Sequence, residues 1–309
     1  MRKVSLLIGF ALFALAGSAR AQDEAPVAAP AGDTAAAPAD DTAAAPAPAP
    51  EAAAAPAPAP AAAVSSSGYA LNSLTLGAGT FQATVPVVLN LSKSAVLKPV
   101  WVPLDLSYGV TDQLTVFINH ATPNGAIASE GGLCLGGKDR NCIKANGDSS
   151  FYNNVNVGAQ FSFLKNNGIE LSGLGALQLR SLDPMYLAID VGVGFKYVAA
   201  PISVKVTPQI GIGANKRSEG NKEILAVPLE IAFQATPELA VFVDSGISGP
   251  TSHFSDNYVV PVGIGAAFAA MPNLDVGAEF MLPAVVTGVK GDNATDARYL
   301  GVFASYRTK

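Results

Sequence analysis

From Leu104 to Ile118 the chain reads LDLSYGVTDQLTVFI, and its apolar positions fall on every second residue. Leu104, Leu106 and Tyr108 alternate with Asp105, Ser107 and Gly109. Gly109 to Gln113 then supplies turn residues before Leu114, Val116 and Ile118 resume the alternation. Side chains two apart share a face of an extended strand, so this stretch predicts a β-hairpin with a very short connection. The same grammar returns in QFSFLKNNGIEL, GFKYVAAPISVKV, AFQATPELAVFV and AFAAMPNLDVGAEF.

Continued along the chain, the pattern predicts twelve strands. They fall near residues 80–92, 99–109, 114–121, 151–164, 169–180, 186–198, 202–214, 223–235, 239–248, 256–270, 274–283 and 297–307. In the fourth, Val155, Val157, Ala159, Phe161 and Phe163 oppose Asn154, Asn156, Gly158, Gln160 and Ser162. A soluble β-sandwich would show the same alternation, so two further regularities decide. Connections after even strands are short and those after odd strands mostly longer, which is the outer-membrane arrangement with the short turns periplasmic. Each even strand also ends its apolar face in an aromatic: Tyr108, Phe163, Tyr197, Phe233, Phe268 and Tyr306. Six rings beside the short turns suit a girdle at the lipid headgroups. The expected fold is all-β: a twelve-stranded antiparallel up-and-down transmembrane β-barrel, residues 69–309.

Two segments precede it. Met1 to Ala21 has Arg2 and Lys3, an apolar run from Val4 to Ala16 and an Ala19-Arg20-Ala21 cleavage pattern, so it reads as a secretory signal peptide. Residues 22–68 are almost wholly Ala and Pro, with six acids, no base and no aromatic. Such a segment cannot bury enough apolar surface to offset its ordering entropy, so it reads as a disordered periplasmic linker. As a spacer it could reach the cell wall; as a solvated tail it needs no partner.

Composition narrows the function classes. Setting aside the three bases of residues 1–21 and the six acids of 22–68 leaves 16 of 19 bases and 18 of 24 acids. A nearly neutral domain offers no basic face for nucleic acid. Hydrophobic residues reach 50% while charged ones are 14%, yet after the signal no apolar run has the length of about 20 residues that a membrane helix requires. An exported, hydrophobic chain written in period two points to outer-membrane lipid as its surroundings.

On these strands the chain resembles Gram-negative outer-membrane β-barrels, porin-like or transporter-type, over residues 80–309. The turn Tyr108-Gly109-Val110-Thr111-Asp112-Gln113-Leu114 is similar to periplasmic turns of the MetA-like phenol-degradation barrel family. The last strand, with Gly301 and Tyr306, resembles the assembly signal of such barrels but ends in Arg307-Thr308-Lys309. Pro86, Pro103, Pro208, Pro228 and Pro261 fall inside expected strands, where each should mark a bulge or a break in pairing.

Counted up from the short turns, Asp105, Glu230, Asp244 and Glu279 share a level on lumen-facing positions, with Asp190 higher. Lys196, Lys205 and Arg307 count lower, and Arg180 lies near the opposite rim. This reads as an acidic band across a narrow, cation-favouring pore for small solutes or ions, with bases beneath. The alternative is a filled, salt-bridged barrel serving as surface or cell-wall scaffold, since about eight strands fill with side chains and about sixteen leave a channel. Inward glycines, among them Gly192, Gly194, Gly211, Gly213, Gly263, Gly265 and Gly277, would leave free volume.

The remaining candidates are local. Cys134 and Cys142, the two cysteines, lie close together in a glycine-rich connection of an exported chain and read as a disulfide. His253-Phe254-Ser255 has the His-x-Ser spacing of some outer-membrane lipid hydrolases, and on a strand would put base and nucleophile on one face. It lacks the Asn-Gly that usually follows, so an enzyme is not expected. His120 reads as an interfacial residue without a partner. No metal or cofactor motif stands out.

Overall fold

Each strand residue carries one backbone N–H and one C=O, directed to alternate sides along the strand, and an open edge leaves a row of them unpaired. The computed structural model describes residues 68–92, 96–97, 99–120, 131–135, 152–182, 184–288 and 296–308, and there the edges are removed by closure. Sixteen strand segments form one sheet: β1 (Phe81–Asn90), β2 (Val100–Val102), β3 (Asp105–Gly109), β4 (Leu114–Asn119), β5 (Gly132–Leu135), β6 (Tyr152–Asn153), β7 (Val155–Asn166), β8 (Ile169–Leu182), β9 (Met185–Ala199), β10 (Ile202–Val206), β11 (Gln209–Gly213), β12 (Ile224–Gln234), β13 (Leu239–Pro250), β14 (Val259–Met271), β15 (Leu274–Thr287) and β16 (Tyr299–Arg307). The pairs β2/β3, β4/β5, β6/β7 and β10/β11 are halves of single staves, so the ring has twelve. Each stave pairs antiparallel with its neighbours, and β16 closes on β1 from Gln82↔Arg307 to Asn90↔Tyr299. The described residues belong to one compact unit, 60–309.

The wall obeys the period of two. Val157, Phe161, Phe163, Ile189, Val191, Val243, Ile264 and Val302 are exposed on the outside, whereas Asn156, Ser162, Ser172, Lys196, Asp244 and Ser305 are buried within. An apolar exterior around a polar interior inverts the soluble pattern and suits hydrocarbon outside. No described helix is long and apolar enough to cross a membrane, which leaves crossing by strands open. Connections 110–113, 167–168, 200–201, 235–238 and 272–273 gather at one rim. The other rim carries the longer connections, except for 183–184.

The prolines explain two of the four stave breaks and one register shift. Register pairs Thr84↔Asp105 and Val88↔Trp101 place Pro86 opposite Pro103, so two residues without an N–H share the gap between β2 and β3. Likewise Val206↔Leu229 and Gln209↔Ala226 put Thr207 opposite Pro228, with Pro208 beside it, at the gap between β10 and β11. Pro261 sits at the register shift between Val260 and Val262. Pro228 itself stays within β12, opposite Gly246, whose φ of 146° few other residues adopt. The proline defects thus fall at shared sites, while separate register shifts at Ser162/Leu164, Leu179/Ser181 and Ala269/Met271 involve no proline.

Candidate functional site: the lumen

Inward positions of neighbouring staves meet in hydrogen-bonded rows, and one row concentrates charge. Glu170 of β8 pairs with Lys196 of β9, and Lys196 with Lys205 of β10. Lys205 then pairs with Glu230 of β12, Glu230 with Asp244 of β13, and Asp244 with Gly263 of β14. Lys205 Nζ donates to Glu230 Oε2 at 2.8 Å. Gly263 has no side chain to keep the next stave's carboxylate away: a Cβ there would lie 2.3 Å from Glu279 Oε1. Glu279 therefore leans over Gly263 into hydrogen-bond contact with Asp244. Glu230, Asp244 and Glu279 are 9%, 7% and 1% exposed, so the three carboxyls share a desolvated wall with one lysine.

The five carboxylates expected as one band divide. Glu230, Asp244 and Glu279 come together as counted. Asp105 belongs to a separate cluster: its Oδ1 accepts from the His120 backbone N–H at 2.8 Å and lies 3.1 Å from His120 Nδ1. His120 Nε2 is 2.7 Å from the Tyr152 hydroxyl. His120 is thus a buried residue with two side-chain partners, at 2% exposure, and the reading of it as a lone interfacial residue is corrected. Asp190 lies with Arg180 against Gly211, where a Cβ would be 2.4 Å from Asp190 Oδ1 and 2.5 Å from Arg180 Nη2.

Two of the four bases depart from their expected level. Lys196 and Lys205 stand in the same row as Glu230, not beneath it, because the register pairs them directly. Arg307 pairs with Asp275, one residue in from the 272–273 turn. Arg180 reaches the long-loop rim, donating to Asn221 Oδ1 at 3.0 Å and the Lys222 carbonyl at 2.7 Å. There Arg217 and Glu223 pair at 2.5 Å, and the Glu223 carboxyl is held below its usual range by its own backbone N–H and by that guanidinium.

Nor do the inward glycines stand for empty space. Added Cβ atoms at Gly265 and Gly277 would lie 2.3 Å from Phe242 Cζ and 2.4 Å from Phe303 Cζ, so these glycines seat the two rings. A Cβ at Gly213 would lie 2.0 Å from the Asn221 carbonyl. Volume given up by a glycine on one stave is taken by a larger side chain on the next.

Residues 68–79, ahead of β1, cross this lumen as a strap at the short-turn rim. Ala70 N–H donates to Gln234 Oε1 at 3.1 Å, and the Tyr69 ring stacks on Phe242 with centroids 5.2 Å apart. Ala70 and Tyr69 pack with Ala232, Ala240, Ala267 and Phe303. Lys196 Nζ then donates to the Asn72 carbonyl at 2.5 Å, and Arg307 Nη1 to Asn72 Oδ1 at 2.9 Å. The Ser73 hydroxyl and Leu74 N–H donate to the two Glu170 oxygens at 2.6 and 2.8 Å. Leu76 N–H reaches Thr115 Oγ1 at 2.8 Å, and Ala78 N–H reaches Asp112 Oδ1 at 2.9 Å. The sequence reading did not find the strap or the parts of Glu170 and Asp275. The signal available was YALNSLTL, where Tyr69 is the first aromatic after the signal segment, set between the Ala/Pro tract and the first strand.

The six aromatics Tyr108, Phe163, Tyr197, Phe233, Phe268 and Tyr306 are all exposed, on the outer face near the short-turn rim. Five of them pair with residues that begin the adjoining stave: Phe81, Ile169, Ile202, Leu239 and Leu274. Cys134 sits on β5, buried with Val88 and Trp101; Cys142 lies outside the described residues, and the expected bridge with it. Phe254–Asn257 is a short helix, α1, with His253 at its start in a left-handed conformation. His253 and Ser255 therefore do not share a strand face, which removes the geometry that would have paired them. Among the described residues no group of His, Cys, Asp and Glu is arranged to hold a metal ion.

No family model and no curated protein matches the sequence. Solved structures do match in fold. The NanC porin is similar with a TM-score of 0.51 at 6% identity, over 72% of this chain and 98% of that one. An outer membrane channel from Pseudomonas putida F1 is similar with a TM-score of 0.50 at 11% identity, over 76% of this chain and 97% of that one. At such identities the likeness is one of fold. With the closed ring and the apolar exterior, it gives this chain the fold of an outer-membrane β-barrel.

Proposed function

We propose that this barrel is a narrow, porin-like channel that passes small solutes across the outer membrane and favours cations, without enzymatic activity. The observation that carries the proposal is the wall formed by Glu230, Asp244 and Glu279, with Lys205 paired to Glu230. In a confined lumen between low-dielectric walls the fields of such carboxylates add and raise the local cation concentration. The NanC porin and the Pseudomonas channel support the channel reading by their fold. In this reading residues 1–21 direct export, 22–68 form a periplasmic spacer able to reach the cell wall, and the short-turn rim faces the periplasm beside an aromatic girdle.

A second reading has an observation of its own. The strap of residues 68–79 lies across the lumen, as a closed scaffold barrel would require. Proteoliposome swelling separates the two readings. A channel admits small sugars and amino acids with rates that fall steeply with solute size. Swelling no faster than that of protein-free vesicles, with the barrel folded, would support the scaffold.

A further inference from the structure

We infer that residues 68–79 are a hinged gate that peels from its Gly68 end and thereby bares the charged row of the lumen. This inference rests on the channel reading and adds how the channel opens.

The two ends of the strap are held differently. Its far end is stitched to the rim by backbone hydrogen bonds: Gly79 N–H donates to the Gly109 carbonyl and Gly109 N–H to the Thr80 carbonyl, both at 2.8 Å. Its near end is held by one side-chain acceptor on Gln234 and by apolar packing of Tyr69, Ala70 and Leu71 against Phe242 and its neighbours. Between them the strap contains a single three-residue turn, too short to hold its own shape. Its other ties, to Lys196, Arg307 and Glu170, are charged groups that water can satisfy once the strap leaves. Gly79, at φ 75°, supplies a pivot next to the stitched end.

The direction of opening follows from the covalent chain. Gly68 is preceded by the Ala/Pro-rich stretch, so any pull on that stretch reaches the Gly68 end first. Release frees Lys196 and Glu170, which lie in the same row as Lys205 and Glu230, so opening and ion selection act on one set of side chains.

A covalent lock tests this. A Cβ built on Gly68 would lie 2.1 Å from Gln234 Cδ, so Gly68→Cys with Gln234→Cys brings two Cβ atoms to about the 3.5–4.5 Å of a disulfide. In planar bilayers the oxidised double variant should lose most of the parent's open-channel current and regain it on reduction, with reductant-treated parent as control. Tyr69→Ala with Ser73→Ala should raise the open fraction severalfold. Locked and reduced channels of equal conductance, with the crosslink verified by mass, would overturn the gate and leave the channel standing. If parent, release variant and a barrel lacking residues 68–78 all fold and none conducts, the channel reading falls, and the gate with it.

Discussion

Lys205 on β10 and Glu230 on β12 are register partners, and their ammonium and carboxylate meet at 2.8 Å inside the barrel. This lysine stands against a wall of three carboxylates, so its removal should act on selectivity as well as on folding. Lys205→Met should shift the reversal potential further in the cation-selective direction. Although its own side chain is 35% exposed, the Glu230 carboxylate left behind is buried, so the stability cost should approach the roughly 3–5 kcal/mol of a buried pair that loses one partner. An unchanged reversal potential in a folded K205M channel would show that this wall does not meet the ion path.

The exterior offers a test of register. Val191 and Ile264 are 43% and 63% exposed on the outer face, in the middle of β9 and β14. Val191→Arg or Ile264→Arg should each cost about 2–4 kcal/mol in the bilayer, while Ile264→Leu should be close to neutral. Folding yield scored by heat-modifiability on gels reads the difference. Equal yields for arginine and leucine at 264 would contradict the assignment of that face to lipid.

Gly265 should be intolerant for a reason that a second mutation can expose. A methyl at 265 would press on Phe242 Cζ, the ring that also carries Tyr69 of the strap. Gly265→Ala should destabilise the barrel by about 1–3 kcal/mol. Phe242→Leu in the same chain should recover part of that loss, giving a clear coupling in a double-mutant cycle. Strictly additive effects would mean that the ring and the glycine do not share the space.

His120 should matter for folding. It joins Asp105 of β3 to Tyr152 of β6, and loss of its buried ring removes one hydrogen bond from each. Thermal unfolding should show His120→Ala losing on the order of 1–3 kcal/mol. Tyr152→Phe, which removes one bond only, should lose less.

The ring of twelve staves was legible because period two, short turns and terminal aromatics are properties of adjacent residues. Even the proline breaks could be anticipated locally, although only pairing shows that Pro86 meets Pro103. What could not be read depends on which stave stands beside which, and at what stagger. Counting from the turns put Glu230, Asp244 and Glu279 at one level, and the register sets Glu230 against Asp244 with Glu279 over Gly263. The same count put Lys205 below Glu230, whereas the register of β10 on β12 puts them face to face. His120 and Tyr152 are 32 residues apart, with a long connection between them, so no local pattern links them. The strap escaped notice because a segment without periodicity gives no sign of packing until the cavity that receives it is known. Glycines misled for the same reason: their neighbours on the next stave decide whether they mark space or a seat.

The central claim is that this barrel conducts ions and that its carboxylate wall sets their sign. The most direct measurement is the reversal potential of the refolded protein in a planar bilayer with a salt gradient across it, taken beside the Glu230→Gln, Glu279→Gln double variant. Amides keep hydrogen-bonding capacity at both positions, so the fold should survive. The parent should reverse at a cation-selective potential and the variant closer to zero, both with open channels. Identical potentials for the two, or an anion-selective parent, would contradict the account.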